Sequence, residues 1–139
     1  MRIYSHNSLL RLETCDPQLQ RIFMAVLPLM DHTILEGRRG KEDQNKAFES
    51  GKSKLQWPNG KHNTLTDTEL SQAVDATPYP VDFKDINRHC FFAGIVIGVA
   101  HNMGIRLRWG GAWDMDYNKI ISDQNFDDLV HFELVEKGT

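Results

Sequence analysis

The chain has 139 residues, 40% hydrophobic and 25% charged, with a formal net charge of −3. That length suits one domain with one sizeable core, and the composition excludes a low-complexity or repeat protein. The negative balance disfavours nucleic acid or another polyanion as partner, and no stretch approaches the roughly 20 apolar residues that a bilayer span needs.

In chain order, Asp16-Pro17 places a capping acid and a first-turn proline ahead of one apolar stripe formed by Leu19, Ile22, Phe23, Val26 and Leu29 or Met30. This predicts a helix ending near Met30. His32 to Glu36 reads as a short strand running into Gly37, and the polar stretch from Lys41 to Ser50 as a helix, which brings Arg38 or Arg39 to a strand end. Residues 51–80 carry turn formers throughout, among them Gly51, Pro58, Asn59-Gly60 and Pro78, so they read as loop apart from a short strand over Gln72 to Ala76.

From about Phe83 to Met103 the spacing of Ile86, Phe92, Ile95, Val96, Val99 and Met103, closed by Gly104, predicts a long buried helix in which Gly94 and Gly98 allow close packing. Ile105 to Trp109 alternates as a strand, Gly110-Gly111 turns, and His131 to Val135 forms a last strand. The expected fold class is α+β, a small antiparallel sheet with packed helices. Cys15 and Cys90 have neither metal nor disulfide spacing and read as two buried thiols in a reducing cytoplasm. Lys41, Lys46, Lys52, Lys54 and Lys61 with Arg38 and Arg39 offer a local basic patch or a solvated face.

Two distant segments hold the candidate chemistry. Asp128-Leu129-Val130-His131-Phe132-Glu133-Leu134 near the C-terminus, and His62 followed by Ser71-Gln72-Ala73-Val74-Asp75, together offer two imidazoles and a carboxylate as metal ligands, plus a spare carboxylate. A hydrolytic metal site commonly has three protein ligands and an open position, with a nearby acid as proton carrier. Around them stand Gly37-Arg38-Arg39 with Gln44, then Gly51-Lys52-Ser53-Lys54, Lys61-His62-Asn63, the run from Ser71 to Pro80, and Arg108-Trp109-Gly110-Gly111-Ala112-Trp113-Asp114. In this order, from Leu12 to Leu134, the motifs resemble the L-alanyl-D-glutamate peptidases of phage endolysins, relatives of the D-Ala-D-Ala carboxypeptidases.

The resemblance implies a zinc peptidase fold of the D-Ala-D-Ala-carboxypeptidase and hedgehog type, one catalytic domain over residues 1–139, and no separate wall-binding domain. It implies one Zn²⁺ ion held by His62, Asp75 and His131, with Asp128 as general base and then general acid, selected over its neighbour Asp127 by the Asp-x-x-His spacing. Arg39, with Arg38 as the alternative, is the arginine suited to gripping a substrate carboxylate or carbonyl in fork geometry. Gln44 and Ser53 are further substrate-binding candidates, placed to orient substrate or the arginine, and Trp109 and Trp113 are candidates to line the cleft, with core packing the alternative reading for both. Glu133 shares the strand face of His131 and is placed to support it. Two departures stand out: the His62 to Asp75 span carries extra residues, Thr64 to Leu70, and Ala112 stands where relatives often have an acid.

The function so implied is an endopeptidase on peptidoglycan stem peptides, acting as a phage lysis enzyme. The alternatives are a D,D- or L,D-carboxypeptidase on the same scaffold, or a non-catalytic cell-wall-binding or virion module. The expected partner is bacterial peptidoglycan, with no nucleic acid, no membrane insertion and a monomeric state. The N-terminus lacks an apolar signal core. Accumulation in the host cytoplasm is therefore expected until a separate protein opens the membrane.

Overall fold

The computed structural model describes residues 2–117 and 128–135, so Asp127 lies outside the described residues. Among the described residues the elements are α1 (His6–Glu13), α2 (Pro17–Val26), β1 (His32–Glu36), α3 (Lys41–Glu49), β2 (Ala73–Pro78), α4 (Ile86–Asn102), β3 (Leu107–Gly110) and β4 (Asp128–Leu134). The strands form one antiparallel sheet in the order β1-β2-β4-β3, which puts β2 and β4 at its centre. The α+β expectation holds.

Local chemistry explains most element ends. The Asp16 carboxylate accepts from the Gln18 N–H at 2.8 Å and Pro17 opens α2. The helix stops at Val26, earlier than the apolar stripe suggests, because Pro28 brings no N–H and crowds the turn before it. Of the two alternatives for the last stripe position, Leu29 is exposed and Met30 packs against the core. In α4, Asp85 caps the Arg88 N–H, so the helix begins after Phe83. Its end is a Schellman turn: Gly104 has φ +72° and the Ile105 N–H reaches back to the Ala100 carbonyl at 2.9 Å.

The core lies between the sheet and α2 and α4, with Phe23, Phe92 and Phe132 in mutual ring contact. Three expectations are corrected here. Ile86 is exposed and leaves the apolar face of α4 to His89, Phe92, Ala93, Val96 and Ala100. Gly94 and Gly98 sit at open positions, where an added Cβ would meet nothing within 4 Å, so they are not packing contacts. Cys15 is buried but Cys90 only half-buried. The short polar helix α1 was not foreseen; it is capped by Ser5 and buries only Ser8 and Leu12.

The register of the central strands sets the chemistry. Val74 pairs with Phe132 and both side chains are buried in the core; the next pair, Asp75 and His131, points by strand alternation to the opposite face. That face opens on a cavity of about 840 Å³.

Candidate metal centre and active-site cleft

Three side chains from three places in the chain converge on the cavity wall. His62 Nε2 lies 3.0 Å from Asp75 Oδ1 and 3.2 Å from His131 Nδ1, and His131 Nδ1 lies 3.2 Å from Asp75 Oδ1. Asp75 and His131 arrive as ladder partners on β2 and β4. His62 arrives on the loop before β2, tied to the end of β1 by the Arg39 N–H to His62 carbonyl bond at 2.8 Å and the parallel bridge between Arg39 and Asn63.

The His62 ring is aimed by its other nitrogen: Nδ1 donates to the Gly37 carbonyl at 2.7 Å. Gly37 must be glycine for this approach, because a Cβ there would stand 2.3 Å from the Arg11 carbonyl oxygen and from Thr14 Oγ1. Among the described residues, His62, Asp75 and His131 form a group able to hold a metal ion.

Electrostatics fit a cation at this point. Burial alone would raise the Asp75 carboxyl, but the two imidazoles hold it well below the usual carboxylate range. Burial would lower His131, yet hydrogen bonds to Asp75 and Glu133 push it up to about 10, so the site draws positive charge. Asp128 lines the same cavity, and its carboxyl is raised by burial and then by the nearby Asp75 charge. A raised carboxyl is closer to the range in which an acid can both take and return a proton near neutral pH.

How Asp128 and His131 share a face is a matter of register. Three residues apart on a regular strand, they would point to opposite faces. Instead, Trp109 pairs with Phe132 and Gly110 with Asp128, so β4 bulges over Leu129 to His131 against a single step of β3. The bulge re-aims Asp128 toward the ligands. The Trp109 indole N–H donates to the Leu129 carbonyl at 2.9 Å, satisfying a bulge carbonyl. Trp109 is 1% exposed and belongs to the core, so of its two readings the packing one holds and the cleft one does not; Trp113 does line the cavity, its ring 5.5 Å from that of His131. Ala112 is fully buried in the same core, where an acid would have no water.

Arg39 lines the cavity, but much of its guanidinium is engaged within the protein. Nε and Nη2 donate to the two Glu36 oxygens and Nη1 to Gln44 Oε1 at 2.8 Å, while Nη2 stays 3.9 Å from Asp75 Oδ2. Of five N–H groups, three are used, which leaves one on each terminal nitrogen for a substrate oxygen. Arg38, the alternative, instead donates to the Glu69 carbonyl at 2.9 Å and pins the extra loop outside the cavity.

Gln44 is 1% exposed and its amide is spent internally: Oε1 accepts from Arg39 and Asn63, and Nε2 donates to Ser53 Oγ and the Leu55 carbonyl. It organises the wall more than it presents a group to a substrate. Ser53 lines the cavity beside Lys52, Lys54 and Lys61, so part of the expected basic patch is the cavity rim. The remainder separates from it: Lys46 pairs with Glu42 at 3.2 Å and Lys41 covers the Trp57 ring. Sequence reading missed Glu36 and the exposed Phe83, both of which line the cavity. Glu36 was detectable as an acid three residues before Arg39; Phe83 carried no signal of its own.

Clustered candidate ligands thus line a cavity on one face of a small antiparallel sheet, an arrangement compatible with metal-assisted hydrolysis. Residues 2–135 match the family described as phage L-alanyl-D-glutamate peptidase, and the chain belongs to that family. Among solved structures it is similar to the L-Ala D-Glu endopeptidase ChiX of Serratia marcescens, with 24% identity and a TM-score of 0.71 over 95% of this chain and 89% of that one. That likeness supports the same fold. No curated protein matches the chain.

Proposed function

We propose that this peptidase is a zinc-dependent endopeptidase that cleaves the L-alanyl-D-glutamate bond of peptidoglycan stem peptides and serves in lysis of a bacterial host. The observation that carries the reading is the spacing of His62 Nε2, Asp75 Oδ1 and His131 Nδ1, 3.0 to 3.2 Å apart. Tetrahedral zinc with bonds of about 2.0–2.1 Å sets its ligand atoms roughly 3.3 Å apart. Two imidazoles and one carboxylate suit zinc, whereas calcium takes six to eight oxygens at longer range.

His62, Asp75 and His131 would hold the ion, which when bound activates water and polarises the scissile carbonyl. Asp128 accepts the proton from the attacking water and returns it to the leaving D-glutamyl amine. The free N–H groups of Arg39 and the rim lysines meet the acidic groups of the stem peptide. Trp113 and Phe83 give the cleft apolar surface against which its methyl-bearing residues can lie. Host lysis implies accumulation in the host cytoplasm and a separate protein that opens the membrane; no helix of the described residues is long and apolar enough to cross one.

The test is mass spectrometry of purified peptidoglycan digested by the zinc-loaded protein, beside Asp128→Asn and a chelator-treated sample. New N-terminal D-glutamyl fragments, lost with chelator and reduced about 100-fold or more in the variant, support the reading. Free D-alanine would move the protein to the carboxypeptidases, and an unchanged wall would sink catalysis on this substrate.

A further inference from the structure

The two histidines of the metal centre have different outer partners. His62 is oriented by a backbone carbonyl, through its Nδ1 and the Gly37 oxygen at 2.7 Å. His131 is oriented by a side chain: its Nε2 lies 2.9 Å from Glu133 Oε1, with both residues 8% exposed. The other Glu133 oxygen lies 3.5 Å from Arg108 Nε, a buried nitrogen with no hydrogen-bond partner of its own.

Strand geometry assembles this row. His131 and Glu133 are two apart on β4 and share its cavity face. Arg108 is the direct ladder partner of Glu133 on β3, while Ala73, its partner on β2, is too small to compete for the space. The row therefore runs Arg108, Glu133, His131 and then the point where the three ligand atoms meet.

We propose that Glu133 is a positioning residue for the metal centre: it holds the Nε2–H of His131, presents Nδ1 to the ion, and is itself steadied by Arg108. The inference rests on the reading that His62, Asp75 and His131 bind zinc. An imidazole can present either nitrogen, and the one free to ligate is set by the bond the other makes. A carboxylate behind a ligating histidine fixes the tautomer and ring angle, and losing such a partner typically costs about 10–100-fold in metal affinity. Without Glu133 the ring can turn about its χ2 bond and remove Nδ1 from the cluster.

The experiment is zinc titration of the wild type, Glu133→Ala and Glu133→Gln against a competing fluorescent chelator, with circular dichroism of the metal-free forms as the folding control. The Gln variant keeps an oxygen that accepts from Nε2–H and removes only the charge. Expected are an Ala variant with the wild-type spectrum whose Kd for zinc rises about 10–100-fold, and a Gln variant close to the wild type. Long-range ¹⁵N NMR of the zinc-loaded wild type should show His131 protonated at Nε2. Wild-type affinity in the Ala variant, equal weakening in both variants, or a His131 protonated at Nδ1 would each overturn the assignment. If the wild type itself binds no zinc, the underlying reading of the three ligands fails instead.

Discussion

Gly110 and Asp128 meet backbone to backbone: a Cβ on Gly110 would stand 2.0 Å from the Asp128 carbonyl oxygen. The two are ladder partners at the point where β4 leaves regular register, so a missing side chain on β3 sets the place of the proposed base on β4. Gly110→Ala must push β4 away. A displacement of about 1 Å at a catalytic group can cost on the order of 100-fold in rate. We expect a kcat loss of that size with zinc content unchanged, measured by assay beside metal analysis.

Trp109→Phe keeps an aromatic ring in the core but deletes the N–H that bonds the Leu129 carbonyl. The lost hydrogen bond should destabilise the fold by about 1 kcal/mol. Because Trp109 stands behind the bulge and does not touch the cavity, kcat should fall while KM stays near the wild type. A rise in KM alone would return Trp109 to the substrate side.

Gln44→Ala removes the amide that joins Arg39, Asn63, Ser53 and Leu55. Arg39 and Asn63 would then each lose an acceptor in a half-buried wall, at a combined cost of about 3 kcal/mol. Chemical denaturation should register this as a lower midpoint with an unchanged slope. Peptidase activity should fall as well, since Arg39 and the His62 loop lose their common anchor.

His32 is 4% exposed, with Nδ1 2.9 Å from the Met30 carbonyl and Nε2 2.6 Å from the Tyr4 hydroxyl. Burial lowers its pKa from the ordinary 6.5, outweighing the backbone bond and Asp31. The unfolded chain therefore takes up this proton at a higher pH than the folded one. Stability is full above pH 6.5 and declines as pH falls from there toward the folded-state value. Urea titrations at several pH values should show a shallower decline in His32→Gln than in the wild type.

An ion held only by the folded protein stabilises it by mass action, about 2.7 kcal/mol at a hundredfold excess over Kd. Zinc should raise the thermal midpoint of the wild type and leave that of His62→Ala unmoved. A shift retained in His62→Ala would place the binding elsewhere.

The cluster of His62, Asp75 and His131, a candidate ligand set, was legible because its residue types are chemically restrictive and their order along the chain is distinctive. The pairing of Asp75 with His131 follows from alternation on two strands whose apolar neighbours, Val74 and Phe132, had to face the core. Other parts depended on tertiary contact. The bulge that turns Asp128 inward arises from a register between β3 and β4 that neither strand shows alone. Trp109 and Trp113 are equally aromatic in sequence, and only packing separates the core ring from the cleft ring. Helix α1 hid because it buries so little apolar surface, and α2 was overdrawn because its stripe runs past Pro28.

Cys15 lies under Gly37, its Sγ 2.9 Å from where a Cβ on that glycine would be. The thiol is fully buried, and burial pushes its pKa up to about 12, so it is inert to alkylating reagents while the seam is closed. The same seam carries the carbonyl that aims His62. The rate at which an alkylating reagent labels Cys15 in the native protein, told apart from the half-buried Cys90 by peptide mapping, is thus a clock for the opening of that support, read at a residue native to the chain.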